Sequence, residues 1–430
     1  MRSHTVALGL GSNLKNPIQN LRRALNEIKK ISELRVLNIS SIYESDAQLP
    51  EISGSDWNQS FLNAVVLCEV KSSMNPSQLL KILKVIEIKL GRTQSEKWAP
   101  RMIDLDILLW DQTKFYDETL KIPHPQIKER PFVLLPLLEV WPDLPIEKPV
   151  WASPWILPKP FGTQKSQKYF WPQIVGILNV TEDSFSDGGQ FNQPEELYAQ
   201  AVRLLKTGAE ILDVGGQSTR PGATAIEATE EKKRLHSALE VLSALKKDYQ
   251  FEISLDCKNA DVATEVLTRY SIDYLNDVTG FENHKMQKIL KEFSKLKAFV
   301  MHSLGVPPTA DAVLDESKSP CDQLNFWWQK KCEQLQFAQD RIIFDPGIGF
   351  GKTKWQSLFI LNNLKSFSPI TQPIMIAHSR KSFQTLFSDR PAAQRDLETA
   401  LMTKNLDLTH VQYLRVHNAE ITTMALRSSL

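Results

Sequence analysis

The chain has little cysteine for its 430 residues: four, at Cys68, Cys257, Cys321 and Cys332. No Cys-x-x-Cys pair and no histidine at zinc spacing accompanies them, which excludes a disulfide framework and a structural zinc site. Charge of one sign is missing too. Lys and Arg number 51 against 50 Asp and Glu, a formal net charge of +1, so nothing marks the surface for nucleic acid or an anionic membrane. Any anionic ligand must be held by local groups. Long apolar runs are also absent. None approaches the ~18 residues of a membrane span, and the opening MRSHTVALGLGSN lacks the apolar stretch of a secretory signal. A cytoplasmic protein with no nucleic-acid and no membrane partner is expected.

What is present is ordinary globular composition, 42% hydrophobic and 23% charged, which argues against disorder. At ~150 residues per domain, the length suggests two or three domains. Proline marks the division. Pro136, Pro142, Pro145, Pro149, Pro154, Pro158, Pro160 and Pro172 crowd residues 136–172 together with Trp141, Trp151, Trp155 and Trp171. Such density opposes helix and central strand. An extended, packed linker is expected from about residue 136, with domains at 1–160 and 161–430.

The N-terminal part reads as α+β. A strand at 5–11 leads through a turn into an amphipathic helix near 18–31, with Leu21, Leu25 and Ile28 on one face. Strands near 36–43 and 61–69, a helix at 76–90 and a strand at 103–110 follow. The order β-α-β-β-α-β suggests a ferredoxin-like sandwich. The C-terminal part carries eight short apolar runs: IVGILN, EILDVG, EISLD, DYLND, AFVMHS, RIIFDPG, PIMIAHS and QYLRVH. Buried parallel strands are apolar throughout, and eight of them separated by helical stretches make a (β/α)8 TIM barrel. Each run ends in a polar group: Asn179, Asp213, Asp256, Asn276, His302, Asp345, Ser379, and Arg415 with His417. That is the end where barrel chemistry sits.

The sharpest motif of the first domain is Arg101-Met-Ile-Asp104-Leu-Asp106. Strand side chains alternate, so the two carboxylates project together. Such a pair repels unless a cation lies between, and magnesium on phosphates prefers one or two carboxylates. Arg92, Lys97 and Arg101 lie close in sequence and could neutralise a transferring phosphoryl group. Gly9-Leu-Gly11-Ser-Asn13 fails the dinucleotide pattern because Leu14 stands where glycine is required, and is read as a tight turn into a helix.

LGLGSN, FLNAVV, GRTQSEKWAPRMIDLDILLW and IPHPQIKERPFVLLPL resemble 6-hydroxymethyl-7,8-dihydropterin pyrophosphokinase over roughly residues 4–145. The resemblance implies two magnesium ions on Asp104 and Asp106 bridging ATP, with Arg92 and Arg101 on a catalytic loop. It implies pterin binding by Asn63, Trp98 and Phe132. Glu87, Arg92, Lys97, His124 and Arg130 would line the ATP site. Phe61 stands where the family has Tyr.

In the second domain, Asn179 opens a loop through Phe185 to Gly189, and Gly215-Gly-Gln-Ser-Thr219-Arg220-Pro221-Gly222 places an arginine where an anionic leaving group could sit. Asp345-Pro-Gly-Ile-Gly-Phe350-Gly-Lys352-Thr353 imitates a Walker A loop, but Pro346 replaces the required glycine. Asp345 could instead pair with an amidine-like ring edge. Ser379-Arg-Lys381-Ser382 and Arg415-Val-His417 add cations at two more strand ends.

In this order, GILNVTEDSFSDGG, DVGGQSTRPGA, DPGIGFGKT, HSRKS and LRVHNAE resemble dihydropteroate synthase over about residues 172–430. The resemblance implies pterin binding by Asp256, Asn276, Asp345 and Lys381. Pyrophosphate would be held by Asn179, Arg220, Arg415 and His417, with one magnesium ion on Asn179. Phe185, Thr219, Arg220, Pro221, Phe350, Lys381 and Ser382 would form the p-aminobenzoate pocket. Lys381, Arg415 and His417 would be catalytic, as would Arg92, Arg101, Asp104 and Asp106 in the first domain. Cys257 replaces the family's Thr, and Ala377-His378 its Gly-Met.

Together the two resemblances imply a bifunctional enzyme of folate synthesis. Pyrophosphate would pass from ATP to 6-hydroxymethyl-7,8-dihydropterin. The product would then condense with p-aminobenzoate to 7,8-dihydropteroate, releasing pyrophosphate. A homodimer through the barrel is possible by analogy. Two rivals stay open: a barrel that moves a methyl group on a reduced pterin, and a non-enzymatic pterin-binding module.

Overall fold

The computed structural model describes residues 3–47, 57–93, 99–149, 164–165, 169–180, 193–217, 226–309 and 311–428. The chain divides into two compact units, Met1–Phe170 and Trp171–Leu430. The expected cut near residue 160 lies outside the described residues.

The first unit runs β1 (Ser3–Ser12), α1 (Pro17–Lys29), β2 (Leu34–Ile39), β3 (Tyr43–Ser45), β4 (Phe61–Lys71), α2 (Pro76–Lys89), β5 (Asp104–Trp110), β6 (Phe115–Tyr116), β7 (Lys121–Ile122), α3 (Pro131–Val140) and β8 (Gln164–Lys165). Its main sheet has the order β5-β1-β4-β3-β8, with β2 also on β4, and every pairing is antiparallel. The ferredoxin-like core is there: β1 lies between β5 and β4, and β4 carries β2 and β3 on its other edge. Both flanking helices start in the manner their sequences dictate, with a proline in the first turn behind an asparagine cap, Asn16 or Asn75.

Three local expectations are corrected. The strand read at 36–43 is two strands, β2 and β3, both paired with β4, with a bulge inside β2 at Val36/Asn38. Of the two readings of the LGLGSN motif, the strand that already took in Gly9 and Gly11 holds and the tight turn over 9–13 does not; β1 runs on through Ser12, and the turn begins at Asn13. The linker expected from residue 136 starts inside helix α3, which contains Pro136. Proline removes one backbone donor there, and the burial of Leu134, Leu137 and Val140 against Ala7, Val65 and Leu109 outweighs that loss.

The second unit is an eight-stranded parallel barrel. Its strands are β9 (Gln173–Asn179), β10 (Ile211–Gly215), β11 (Glu252–Asp256), β12 (Tyr274–Asp277), β13 (Lys297–Met301), β14 (Ile342–Asp345), β15 (Met375–Ile376) and β16 (Tyr413–Val416). Between and after them come α4 (Gln193–Lys206), α5 (Ala228–Leu245), α6 (Ala260–Arg269), α7 (His284–Glu292), α8 (Pro320–Gln334), α9 (Lys354–Asn362), α10 (Asp396–Asn405) and α11 (Ala419–Arg427). The order is β14-β13-β12-β11-β10-β9-β16-β15, and a parallel bridge between Phe344 and Ile374 closes the ring. All eight apolar runs are strands. Inside, Val175, Ile211, Tyr274, Phe299, Ile343, Met375 and Tyr413 fill the lower half as one buried cluster. Tyr274 stacks on Phe299, and Tyr413 meets both rings edge-on. Tyr274 also donates to Glu252, which Lys297 pairs at 3.2 Å, so the floor of the barrel is plugged.

Candidate functional sites

Register sets up the N-terminal cleft. Gly11 of β1 lies between Asn63 of β4 and Asp104 of β5, and Gly9 lies between Val65 and Asp106. Asp104 and Asp106 therefore share one face of the sheet, as their spacing requires. A side chain on Gly11 would stand 3.5 Å from Oδ1 of Asn63, so the glycines keep the sheet bare between the amide and the carboxylates. A cleft of about 370 Å³ opens there, lined by Asn63, Arg92, Arg101, Asp104, Asp106, Arg130 and Phe132 among others. Asn63 is aimed by donating to Ser45 Oγ at 2.9 Å. Arg130 lies 5.9 Å from the Phe132 ring centroid.

The arginines converge on one carboxylate. Arg92 Nη1 donates to Asp104 Oδ1 at 2.6 Å and Arg101 Nη1 to Oδ2 at 2.8 Å. Burial pushes the Asp104 carboxyl up, but Arg101 and Arg92 outweigh it and hold the group below its ordinary value. Asp106 goes the other way, raised by burial and by the charge of Asp104. Glu87, 2% exposed, pairs with Arg92 and Lys84 and accepts from Leu105 N at 2.7 Å. It braces the arginine and the strand from the helix α2. His124, lowered by burial against the pull of Asp106, packs beside the pair. Among the described residues no three His, Cys, Asp or Glu side chains form a metal cage. Two carboxylates on one strand face, one of them raised by its neighbour's charge, fit a cation completed by phosphate oxygens and water.

In the barrel, alternation turns every second strand residue inward. Two residues beyond the apolar floor on their own strands come Asp213, Asn276, Asp345 and Arg415, with Asp256 in register with Asn276; two residues farther along β9 and β16 than Ile177 and Arg415 come Asn179 and His417. Arg415 Nε donates to Asp213 at 2.6 Å and Nη2 to Asp256 at 2.7 Å. Asn276 Nδ2 donates to the same Asp213 oxygen at 3.1 Å. Burial raises Asp256 to about 7, opposed by Arg415 and helped by Asp213. Burial also raises Asp345, partly offset by Gly347 N, which donates to Oδ1 at 2.7 Å. His417 Nδ1 lies 3.0 Å from Ser379 Oγ. Lys381 Nζ stands 4.3 Å over the Phe350 ring, and Ser382 follows it on the exposed rim.

The loop after β14 depends on glycine. Gly347 has φ +65°, and a Cβ there would lie 2.0 Å from the carbonyl oxygen of His302. Beneath the loop, Lys352 Nζ donates to the Phe350 carbonyl at 2.8 Å and lies 3.0 Å from Nδ1 of His302.

Thus Asn63, Arg92, Arg101, Asp104, Asp106, Arg130 and Phe132 meet in one cleft, with Glu87 and His124 around it. Asn179, Asp256, Asn276, Asp345, Lys381, Arg415 and His417 meet at the barrel mouth, with Phe350 beside Lys381. Lys97, Trp98, Phe185, Thr219, Arg220 and Pro221 lie outside the described residues. Two residues escaped the sequence reading. Asp213 appears there only as a polar strand end, though the alternation in EILDVG already turns it inward. Asn13 carries no chemical signal, yet its Oδ1 accepts from Arg101 N at 2.8 Å and its own N–H donates back to Arg101 O at 3.2 Å.

Comparison with known proteins agrees on both halves. The 7,8-dihydro-6-hydroxymethylpterin-pyrophosphokinase family matches residues 7–142, and the pterin binding enzyme family matches residues 175–417. The folate synthesis bifunctional protein of Chlamydia muridarum is 35% identical, over 96% of this chain and 95% of its own. Among solved structures, dihydropteroate synthase from Anaplasma phagocytophilum, with bound 6-hydroxymethylpterin-monophosphate, is 30% identical with a TM-score of 0.54. That match covers 60% of this chain and 98% of the other. A Plasmodium falciparum triple mutant joining both enzymes, solved with pteroate, covers 99% of this chain and 94% of its own. At 21% identity and a TM-score of 0.53 it speaks for the fold alone. With a relative alike along nearly its whole length and a family match on each unit, the chain belongs to the bifunctional folate-synthesis proteins: a hydroxymethyldihydropterin pyrophosphokinase followed by a dihydropteroate synthase.

Proposed function

We propose the following division of labour among residues. In the first unit, Asn63 and Phe132, with Trp98, hold the pterin flat on the bare strand β1. Glu87, Lys97, His124 and Arg130 surround ATP. The pterin hydroxyl oxygen attacks the β-phosphorus, the bond to the α-phosphate breaks, AMP leaves, and the hydroxyl proton is lost. Arg92 and Arg101, already drawn together on Asp104, spread the charge of the transferring group. Magnesium held by Asp104 and Asp106, as two ions, and by Asn179 in the barrel, as one, would neutralise phosphate oxygens.

In the barrel, Asp256, Asn276, Asp345 and Lys381 bind the pterin ring. Arg220, Arg415 and His417 take up charge as the carbon–oxygen bond to pyrophosphate breaks. The aniline nitrogen of p-aminobenzoate, placed by Phe185, Thr219, Arg220, Pro221, Phe350, Lys381 and Ser382, attacks the pterin methylene and loses a proton. The product is 7,8-dihydropteroate. The convergence of two arginines on Asp104, in a cleft that also presents Asn63 and Phe132, carries the reading of the first site.

Purified protein supplied with ATP, magnesium, 6-hydroxymethyl-7,8-dihydropterin and p-aminobenzoate should release AMP and form dihydropteroate. AMP release without dihydropteroate would remove the second activity and reopen a methyl-transfer barrel. Asp104→Ala should lower AMP release at least ~10²-fold and leave condensation of supplied pterin pyrophosphate unchanged. Loss of both activities in folded protein would sink the assignment of one site to each unit.

The barrel also offers a face for a second copy. Trp355 (68% exposed) and Phe359 on α9 and Leu397 and Leu401 (55% exposed) on α10 show apolar side chains at i, i+4 spacing on neighbouring helices, with Phe387 between them in sequence. We propose that they form a homodimer contact. Sedimentation should show a dimer that Leu401→Lys with Trp355→Lys dissociates; an unaltered sedimentation coefficient would exclude this face. No described helix is long and apolar enough to cross a membrane, and the four cysteines are unpaired; both accord with a cytoplasmic location.

A further inference from the structure

Two cation-bearing loops of the barrel mouth leave neighbouring strands. The loop after β15 carries Ser379, Arg380 and Lys381, and the end of β16 carries Arg415 and His417. Ser379 and Lys381 reach partners at the mouth, namely His417 and the Phe350 ring. Arg380, between them, does not. Its guanidinium forms a fork on Asp396, with Nε donating to Oδ1 at 2.6 Å and Nη2 to Oδ2 at 2.9 Å. Asp396 is the first residue of α10, and Arg380 N donates to Thr399 Oγ1 on the same helix at 3.1 Å. The Arg380 backbone sits in the left-handed region, at φ +59°, where a side chain is unfavourable. The surroundings must therefore hold it there.

The same Asp396 serves the second loop. Its Oδ2 also accepts from Asn418 Nδ2 at 2.9 Å, and Asn418 directly follows His417. The other end of the Asn418 amide accepts from Ile421 N at 3.2 Å, capping α11. One carboxylate thus ties together the backbone behind Ser379 and Lys381 and the backbone behind Arg415 and His417.

We propose that Asp396 is a positioning residue for the synthase reaction: through Arg380 and Asn418 it fixes the spacing of the two cationic loops, so that Lys381 meets the pterin ring of the same molecule whose pyrophosphate meets Arg415 and His417. Burial raises the Asp396 carboxyl, but the hydrogen bonds from Arg380 and Asn418 outweigh it and keep the group ionised. A forked guanidinium–carboxylate pair is directional as well as strong, which is what alignment of two loops requires. The pterin-ring residues Asp256, Asn276 and Asp345 stand on other strands and make no bond to the clasp among the described residues. The clasp should therefore govern how the ring contact of Lys381 is aligned with the pyrophosphate contacts of Arg415 and His417, and leave the other three ring contacts in place.

This inference rests on the reading of the barrel mouth given above, and the experiment separates the two. In the whole protein, Asp396→Asn keeps the shape and removes the charge that binds the fork. Arg380→Gly removes the guanidinium while making the left-handed turn easier. Both variants should lower synthase kcat by roughly ten- to a hundredfold, the scale of an ångström-level misplacement, and raise KM for the pterin pyrophosphate. Binding of 6-hydroxymethylpterin, which lacks the pyrophosphate, should weaken less than that of the pterin pyrophosphate, because Asp256, Asn276 and Asp345 keep their ring contacts and only Lys381 stands on a clasped loop. Combining the two variants should add nothing to either alone. Wild-type kinetics in both variants, or equal loss of pyrophosphate-bearing and free pterin, would overturn the clasp. Arg415→Ala is the control: if it leaves turnover intact, the mouth itself has been misread, whatever the clasp variants do.

Discussion

Asp256 is caught between a buried setting that favours its neutral form and an arginine that favours its charge. Burial and Asp213 win over Arg415, and the carboxyl stands at about 7. An acid raised in this way is protonated below that pH and ionised above it. Only the ionised form can accept hydrogen bonds from pterin ring N–H groups on both of its oxygens. Synthase kcat/KM for pterin pyrophosphate should therefore fall about tenfold per unit as pH drops below this value. In Asp256→Asn the inflection should vanish and activity should be low throughout; a persisting inflection would assign it to another group. Single residues differed in how well the sequence revealed them. The Asp104–Asp106 pair was legible because strand alternation needs no tertiary knowledge. Asn13 was not, because its role exists only once Arg101, 88 positions away, folds against it.

At the scale of elements, apolar runs capped by polar ends revealed the barrel, since a buried parallel strand has no other way to be written. Misreadings arose where tertiary packing overrides a local rule. Pro136 is tolerated within α3 because the helix buries its apolar residues against the sheet. Gly9 and Gly11 fit both the strand read at 5–11 and the tight turn read over 9–13; the strand wins, because a strand interior accepts glycine where a cleft opens above it. The loop after β14 allows a quantitative forecast. Gly347→Ala adds a carbon 2.0 Å from the His302 carbonyl oxygen at φ +65°. The cost should be about 3 kcal/mol or more, from backbone strain and forced displacement of the neighbouring strand end. That corresponds to a fall of roughly 5–10 °C in the barrel's thermal unfolding transition, measurable by calorimetry, with the kinase activity retained at lower temperature. A shift under a degree would show that the loop yields.

At the scale of the molecule, the described residues of the cleft proposed as the kinase site lie between Gly9 and Val133, and those of the barrel mouth proposed as the synthase site between Asn179 and His417. The unit boundary at Phe170 falls in neither. Each site is complete on its own side of that boundary as far as the described residues go, which is why loss of one activity should spare the other. Net neutrality is compatible with two proposed anion-handling sites because guanidinium groups are spent on buried or half-buried carboxylates: Arg92 and Arg101 on Asp104, Arg415 on Asp213 and Asp256, Arg380 on Asp396. Charge is arranged in pairs that a ligand can re-partition, so none of it needs to appear in the total.

The plug formed by Tyr274, Phe299, Tyr413 and the Glu252–Lys297 pair turns the barrel into a vessel with one opening. Whatever enters first goes to the bottom, and whatever enters second closes the way out. Asp345 and Asn276 lie buried at the strand ends, whereas Lys381 and Ser382 stand on the rim, so the pterin pyrophosphate should queue ahead of p-aminobenzoate. Dihydropteroate should then compete with the pterin pyrophosphate for the empty enzyme and not with p-aminobenzoate. Steady-state inhibition patterns that show the reverse would mean a second way into the barrel.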